Sequence, residues 1–246
     1  MEMGTFWEKA DQEIAEFDLL KHPFYQAWSA GELTREDLKF YAEQYYHHVS
    51  QFPAYLTALH SRLPESAMRR AVLANAYEEE CGSGADHADS HCSHAELWQR
   101  FAQGMGSEVS SREETAPIAE IADLLKTFRV LAQAAPVATV FGALFAYESQ
   151  VPGIAAGKLS GLKKHYGADD RTCSYFSLHQ TADVYHSNVW RKIISDLIER
   201  DPRNASEALE GISCAARALW TALDGIDRAR PNRVAQASAC GFASKA

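Results

Sequence analysis

Hydrophobic residues recur every three or four positions along most of the chain, the spacing of one face of an α-helix. No segment alternates apolar and polar residues for long enough to predict a β-strand. Proline, glycine and N-capping residues divide this pattern into about seven to nine helices. The segments that show it are 6–20, 23–30, 34–63, 65–80, 93–103, 117–134, 136–150, 171–200 and 204–229.

Two prolines should interrupt these helices. Pro53 lies inside the long third segment and should kink it, and Pro152-Gly153 should stop the helix that ends near residue 150. No internal repeat or linker divides the chain. The pattern therefore predicts a single all-α domain over residues 1–230. The small, polar and aperiodic stretch 231–246 is predicted to be a mobile tail.

Composition narrows the classes of function. The 246 residues carry a net charge of −9 and no basic stripe, which argues against nucleic acid as a partner. The apolar run 131–147 is interrupted by polar residues, so we expect a buried helix and no membrane span. The first residues resemble no signal peptide. An odd number of cysteines without a CxxC pair is typical of reduced thiols, so we expect a cytoplasmic protein; they are Cys81, Cys92, Cys173, Cys214 and Cys240.

The most informative chemistry lies at His179, Asp183 and His186. On one helix the offsets i, i+4 and i+7 fall at about 0°, 40° and −20°, so the three side chains would share a stripe. Two imidazoles flanking a carboxylate suit a pair of first-row metal ions. For the triplet alone, a solvated face with two ordinary histidines is an equally good interpretation.

Further ligands would have to come from other helices. Glu148 ends an otherwise apolar helix, where a buried carboxylate is costly unless it is paired or bound to a metal; a glutamate turned to solvent is the alternative. Glu78-Glu79-Glu80 ends the fourth helix, where three acids oppose the helix dipole, and only one of them can point squarely at a given axis. The nearby histidines cannot be separated by spacing alone, although the apolar helix that follows anchors His94 better than the others; they are His87, His91 and His94.

These residues belong to a longer series of motifs that covers nearly the whole chain in order. On this series the chain resembles the haem-oxygenase-like di-metal oxidases, and within them the CADD-like p-aminobenzoate synthases. The motifs are Phe24-Tyr25-x-x-Trp28-Ser29-x-Gly31-Glu32-Leu33-Thr34, Tyr45-Tyr46-x-His48, Phe52-Pro53-x-Tyr55-Leu56, His60-Ser61-Arg62, 75–82, His94-x-x-Leu97-Trp98, Tyr147-Glu148-Ser149-Gln150-x-Pro152 and Tyr175-Phe176-x-x-His179-x-x-x-Asp183-x-x-His186.

The resemblance implies a haem-oxygenase-like helical bundle with two metal ions, Fe/Fe or Fe/Mn, that uses molecular oxygen and an external reductant. The metal ligands that it implies are Glu79, His94, Glu148, His179, Asp183 and His186. The loop 81–93 is longer than in the family pattern. For that reason His87 or His91 stays open as an alternative to His94.

The resemblance also implies a self-consuming reaction that supplies p-aminobenzoate for folate. The ring would come from Tyr25 and the amino nitrogen from Lys158, while Tyr41 and Tyr147 would relay a radical. Without the resemblance, an aromatic residue at helical spacing is more often core, and a lysine is more often at the surface.

Two other functions stay open. The same metals could oxidise an external amine or fatty acid, or the chain could be a helical interaction protein, although the latter gives no reason for six ligand-type residues. Haem oxygenase activity is disfavoured because His22 precedes Pro23, and no cysteine lies beside a thiaminase-type motif. The sequence identifies neither the electron donor nor the oligomeric state, a homodimer being one option.

Overall fold

The computed structural model describes residues 2–82, 91–108 and 114–231. Over these residues the chain forms eleven α-helices and a 3-10 turn at Leu19–Lys21, without a β-strand. The helices are α1 (Met3–Glu16), α2 (Pro23–Ala30), α3 (Arg35–Arg62), α4 (Ser66–Cys81), α5 (His94–Gly104), α6 (Ala119–Ala134), α7 (Val137–Glu148), α8 (Val151–His165), α9 (Asp170–His179), α10 (Ala182–Arg200) and α11 (Asn204–Ala229).

The all-α fold predicted from the sequence is confirmed, and the helices exceed the predicted number for two reasons. Helix α7 ends before Pro152, as predicted, but Pro152 also occupies the first turn of a further helix, α8, where a missing N–H costs no helical hydrogen bond. The segment predicted as one helix over 171–200 is two helices, α9 and α10, separated by a turn at Gln180 and Thr181. Both differences lie beside residues with candidate chemistry.

The start of helix α3 is fixed by its local sequence. Thr34 accepts a hydrogen bond from the backbone N–H of Asp37, and the Asp37 carboxylate accepts one from the backbone N–H of Thr34. This capping box satisfies two N–H groups that have no partner inside the helix. The helix then runs for 28 residues and is continuous across Pro53. It carries Tyr41 on a buried face.

Helix α7 lies at the centre of the fold and is buried along almost its whole length. It packs against α11 with little space between the backbones. A Cβ added to Gly211 would lie 1.9 Å from the carbonyl oxygen of Thr139, and one added to Gly142 would lie 2.2 Å from that of Ala208. Only glycine allows such an approach. This packing holds Glu148, the last residue of α7, in the interior.

Among the described residues, no helix is long and apolar enough to cross a membrane. The apolar run 131–147 forms the end of α6 and most of α7, as a buried element. The division into a domain over 1–230 and a mobile tail stays a prediction, since residues 232–246 lie outside the described residues.

Candidate metal centre

Six buried side chains form two groups of three that could each hold a metal ion. Within each group, one candidate ligand atom from every residue lies within 4.8 Å of the others. The first group is Glu79, His94 and His179, and the second is Glu148, Asp183 and His186. The structure thus brings together all six residues that the resemblance implied as ligands. His91 belongs to neither group and is exposed in a turn before α5; His87 lies outside the described residues.

The first group is assembled by helix ends. His94 is the first residue of α5, whose capping box between Ser93 and Glu96 holds the helix start in place. The His94 Nδ1 atom lies 2.8 Å from Glu79 Oε2. The two atoms do not meet the angular requirements of a hydrogen bond, and Nδ1 has no other hydrogen-bond partner. A buried nitrogen and a carboxylate oxygen directed at a common space are typical of two ligands of one ion.

His179 is oriented by the helix that it ends. Its Nδ1 lies 2.7 Å from the backbone carbonyl oxygen of Tyr175, one turn earlier in α9, so Nδ1 carries the proton and donates. The Nε2 lone pair is then free to bind a metal, which is the usual arrangement of a metal-binding histidine. The Tyr175 ring stacks on the imidazole at 3.9 Å between ring centroids.

The second group surrounds the carboxylate of Glu148. Its Oε1 accepts a hydrogen bond of 3.0 Å from Asn75 Nδ2, and its Oε2 accepts one from the indole N–H of Trp190. His186 contributes an imidazole whose Nδ1 lies 3.3 Å from Asp183 Oδ1. Each oxygen of the Glu148 carboxylate accepts one hydrogen bond, so each keeps a further lone pair that could bind an ion.

The geometry corrects one prediction about the motif at 179–186. His179 ends α9, whereas Asp183 and His186 lie on α10, so the three side chains do not form a stripe on a single helix. The turn at Gln180 and Thr181 sends His179 to the first group and the other two residues to the second. The helical geometry deduced from their spacing was wrong, whereas their role as metal ligands stays a prediction.

The electrostatics of the groups fit divalent cations. Burial raises the pKa of Glu79 to about 8, and burial together with the charge of Asp183 raises the pKa of Glu148. Burial lowers the pKa values of His94 and His179 to about 4, so both imidazoles are neutral donors at neutral pH. Glu79 and Glu148 are therefore costly to ionise by themselves, and bound cations would stabilise both as carboxylates.

His186 differs from the other two histidines. Burial alone would lower its pKa, but the hydrogen bond to Asp183 and the charges of Glu148 and Glu78 outweigh burial and raise the pKa to about 9. The second group is therefore the more negative of the two.

A separate buried cluster contains the lysine and two of the tyrosines that the sequence singled out. Lys158 Nζ on α8 lies 2.9 Å from the hydroxyl of Tyr25 on α2 and 2.5 Å from that of Tyr41 on α3. The two hydroxyls are 3.1 Å apart. Burial holds the pKa of Lys158 well below its ordinary value of 10.5 and those of both tyrosines well above 10.0. Burial thus favours the neutral amine of Lys158 and the protonated phenols beside it.

The two regions are adjacent. A cavity between the metal groups is lined by Glu79, Glu148, His179 and Asp183, and a second cavity is lined by Tyr25 and Lys158. Tyr147 and Tyr175 line both cavities and separate them. The structure therefore places Tyr147, predicted as a relay, between the metal groups and the lysine cluster.

Sequence reasoning missed four residues that contact the groups. Tyr175 lies one turn before His179, so helical spacing from the motif could have found it. Asn75 and Trp190 are single polar groups on otherwise apolar faces, a signal too common to select them. Glu78 lies beside Glu79 and contacts His186, although the acidic run was expected to contribute one residue.

Comparison with known proteins bears on the family. A family described as iron-containing redox enzymes, of the haem-oxygenase-like type, matches residues 39–220. The chain belongs to this family. The resemblance deduced from the motifs is thereby confirmed, and the family's description as iron-containing agrees with the buried carboxylates and imidazoles of the two groups.

Relatives within this family cover most of the chain. The 4-aminobenzoate synthase of Nitrosomonas europaea is 39% identical over 236 residues, covering 92% of each chain. That of Chlamydia pneumoniae is 36% identical over 223 residues, covering 90% of this chain and 94% of the relative. A CADD-like protein of unknown function from Nostoc punctiforme has the same fold, with a TM-score of 0.70 at 19% identity over 92% of this chain and 96% of that one.

Proposed function

We propose that this protein is an oxygen-dependent di-metal enzyme that makes p-aminobenzoate from its own Tyr25, with Lys158 as the nitrogen donor. The observation that carries the proposal is the buried contact of 2.9 Å between Lys158 Nζ and the Tyr25 hydroxyl, beside the two ligand groups. The names of the relatives from Nitrosomonas europaea and Chlamydia pneumoniae support p-aminobenzoate as the product.

Tyr25 supplies a skeleton that needs few changes. Its ring and Cβ already form a para-substituted benzyl group. In the proposed reaction the Cα–Cβ bond breaks, Cα takes up a hydrogen and remains as a glycine residue, and Cβ becomes the carboxylate carbon. The four electrons released reduce one dioxygen, which supplies both carboxylate oxygens. An external reductant would hold the metal ions in their reduced form. Lys158 Nζ replaces the phenolic oxygen on the ring carbon, and the bond between Nζ and Cε breaks. The displaced oxygen leaves as water and a water oxygen takes the place of nitrogen on Cε, so this exchange needs no further oxidant.

Lys158 is suited to donate nitrogen because burial favours its neutral form, which has a nucleophilic lone pair. Its Nζ lies 4.3 Å from the centroid of the Tyr25 ring, close to the carbon that it would attack. The nearby Tyr41 hydroxyl accepts a hydrogen bond from the amine and restricts its position.

Two ions, Fe/Fe or Fe/Mn, would be held by the two groups of three ligands, and such a centre supplies the oxidising power that dioxygen alone delivers too slowly. Tyr147, in the wall between the two cavities, is the proposed electron relay towards Tyr41 and Tyr25. The aromatic side chains that line both cavities are buried. The proposed compartment is the cytoplasm, and the proposed use of the product is folate synthesis.

The test is to incubate the metal-loaded protein with reductant and oxygen, without added substrate, and to quantify p-aminobenzoate by mass spectrometry. At most one product molecule per chain is expected, and protein grown with ring-labelled tyrosine should yield labelled product. Tyr25→Phe should yield essentially none, whereas the matched control Tyr166→Phe, at a buried tyrosine outside both cavities, should behave as the unmodified protein.

Unlabelled product or many turnovers per chain would contradict self-consumption and favour oxidation of an external substrate. Intact mass gives an independent readout, because self-consumption changes the mass of the protein itself.

A further inference from the structure

Glu78 contacts the second group from outside. Its Oε2 lies 3.0 Å from His186 Nε2, while His186 Nδ1 on the other side of the ring faces Asp183 at 3.3 Å. The His186 side chain is only 3% exposed, whereas that of Glu78 is 35% exposed and borders a small cavity between α4 and α10. Glu78 is therefore partly reached by water.

A neutral imidazole binds a metal through one nitrogen and carries its proton on the other. When Nε2–H donates to Glu78, Nδ1 can bind an ion shared with Asp183 through its lone pair, in place of the Nδ1–H hydrogen bond that Asp183 accepts when no ion is bound. When no acceptor holds the proton on Nε2, either tautomer can form and the ring can rotate. We propose that Glu78 is a positioning residue that fixes the tautomer and orientation of His186 for the second metal ion.

The two ligand groups then differ in how their histidines are held. His179 in the first group donates to the backbone carbonyl of Tyr175, which no side-chain substitution removes. His186 in the second group donates to a side-chain carboxylate, which makes the imidazole a stronger electron donor than a carbonyl does. The affinity for the ion in the second group would therefore depend on the side chain of Glu78, which is not itself a ligand and can be replaced.

This role also explains the acidic run that ends α4. Neighbouring residues on a helix point about 100° apart. Glu79 is thereby directed into the first group and Glu78 towards His186, while Glu80 is exposed. Two of the three acids that oppose the helix dipole have partners in the centre, and the third provides a matched control.

The inference rests on the proposed di-metal centre, and the test measures metal binding independently of product. The full chain and its variants are loaded with Fe(II) without oxygen, and iron content and affinity are measured by elemental analysis and chelator competition. Iron enriched in the Mössbauer-active isotope reports the two sites separately. The variants are Glu78→Ala, Glu78→Gln and the control Glu80→Ala.

We expect Glu78→Ala to lower the affinity for one of the two ions by about 10–100-fold and to change one of the two Mössbauer signals. Glu78→Gln should recover part of the affinity, because its amide oxygen still accepts the proton on Nε2. Glu80→Ala should match the unmodified chain. The metal-free Glu78→Ala protein should unfold at the same temperature as the metal-free parent.

If Glu78→Ala binds both ions with the affinity and Mössbauer signals of the unmodified chain, this inference is wrong, while the proposed function is unaffected. The inference is also wrong if Glu78→Ala lowers the affinity for both ions equally and the metal-free variant unfolds at a lower temperature. The role of Glu78 would then be structural. An unmodified chain that binds no iron would overturn the proposed function as well.

Discussion

The ligand groups and the lysine cluster are both buried and polar, yet they differ in the charges that surround each titratable side chain. The ligand groups place three carboxyl groups against three imidazoles, and burial raises the pKa values of Glu79 and Glu148. The lysine cluster surrounds a potential cation with phenols and aromatic rings, and burial is the cause that lowers the pKa of Lys158. The side chains of one region fit bound cations, whereas burial in the other favours a neutral amine.

Burial alone therefore does not define the chemistry of a site. In the ligand groups, buried acids make the environment negative enough to raise the pKa of His186 to about 9. A wall containing Tyr147 separates them from Lys158, whose described neighbours are neutral. The nature of the partners, more than the depth of burial, determines which form of a group is stable.

The largest expected effect is the loss of metal from one group. Replacing Glu148 or His179 with alanine removes one of three ligands from a buried ion, so each variant should retain at most one tightly bound ion per chain. Elemental analysis of protein purified without a tag measures this directly.

Matched controls are His91→Ala, at an exposed position outside both groups, and His87→Ala. Both should keep two ions, while His94→Ala should not. If His94→Ala keeps its full metal content and His87→Ala loses metal, the ligand is His87 in the loop, and His94 does not belong to the first group.

A smaller effect is expected from removing the buried amine. The unfolded chain binds a proton at Lys158 up to pH 10.5, but the folded chain releases it at a lower pH, so this residue opposes folding below pH 10.5. Lys158→Met should therefore be more stable than the parent at neutral pH. The advantage should shrink by up to about 1.4 kcal/mol per pH unit as the pH approaches 10.5.

Denaturant unfolding of both proteins from about pH 7 to about pH 10 measures this difference. Lys158→Arg provides the contrasting case, because a guanidinium stays charged and should destabilise the fold throughout that range. A constant stability difference between Lys158→Met and the parent would show that Lys158 is charged in the folded protein.

The smallest effect is expected at His48, a third kind of buried imidazole. Neither ring nitrogen has a hydrogen-bond partner, and burial among Phe52, Phe128 and Tyr147 lowers the pKa of His48 to about 3. His48→Leu removes two unsatisfied polar atoms but loses ring contacts. The unfolding free energy should change by less than about 1 kcal/mol, with metal content unaffected. A loss of metal would instead connect His48 to the ligand groups.

The sequence predicted the residue types of the centre better than their geometry. Glu148 stood out because an acid in an apolar helix needs a partner, and the structure gives it Asn75 and Trp190. The break between α9 and α10 was not predictable, because Gln180 and Thr181 carry no glycine or proline signal. Packing, which places His179 and Asp183 in different groups, overrides local helical preference there.

Lys158 illustrates a different limit. It lies on α8, a helix missed because Pro152 and Gly153 were interpreted as a stop, and its burial depends on α2 and α3 at distant positions in the chain. Proline in the first turn of a helix and proline after its end look the same in sequence. The resemblance identified Lys158, whereas periodicity could not.

The burial of Tyr25 has a consequence for the lifetime of the protein. Its side chain is 4% exposed and packs against the rings of Phe24 and Tyr41. A chain that has lost this ring would contain an internal void, and voids left by aromatic side chains cost about 3–5 kcal/mol of unfolding free energy. That is a large part of the stability of an ordinary domain. Under the proposed function, the spent protein would therefore unfold more often than the fresh one and be preferentially exposed to cellular proteases, so synthesis of the product would be coupled to protein turnover.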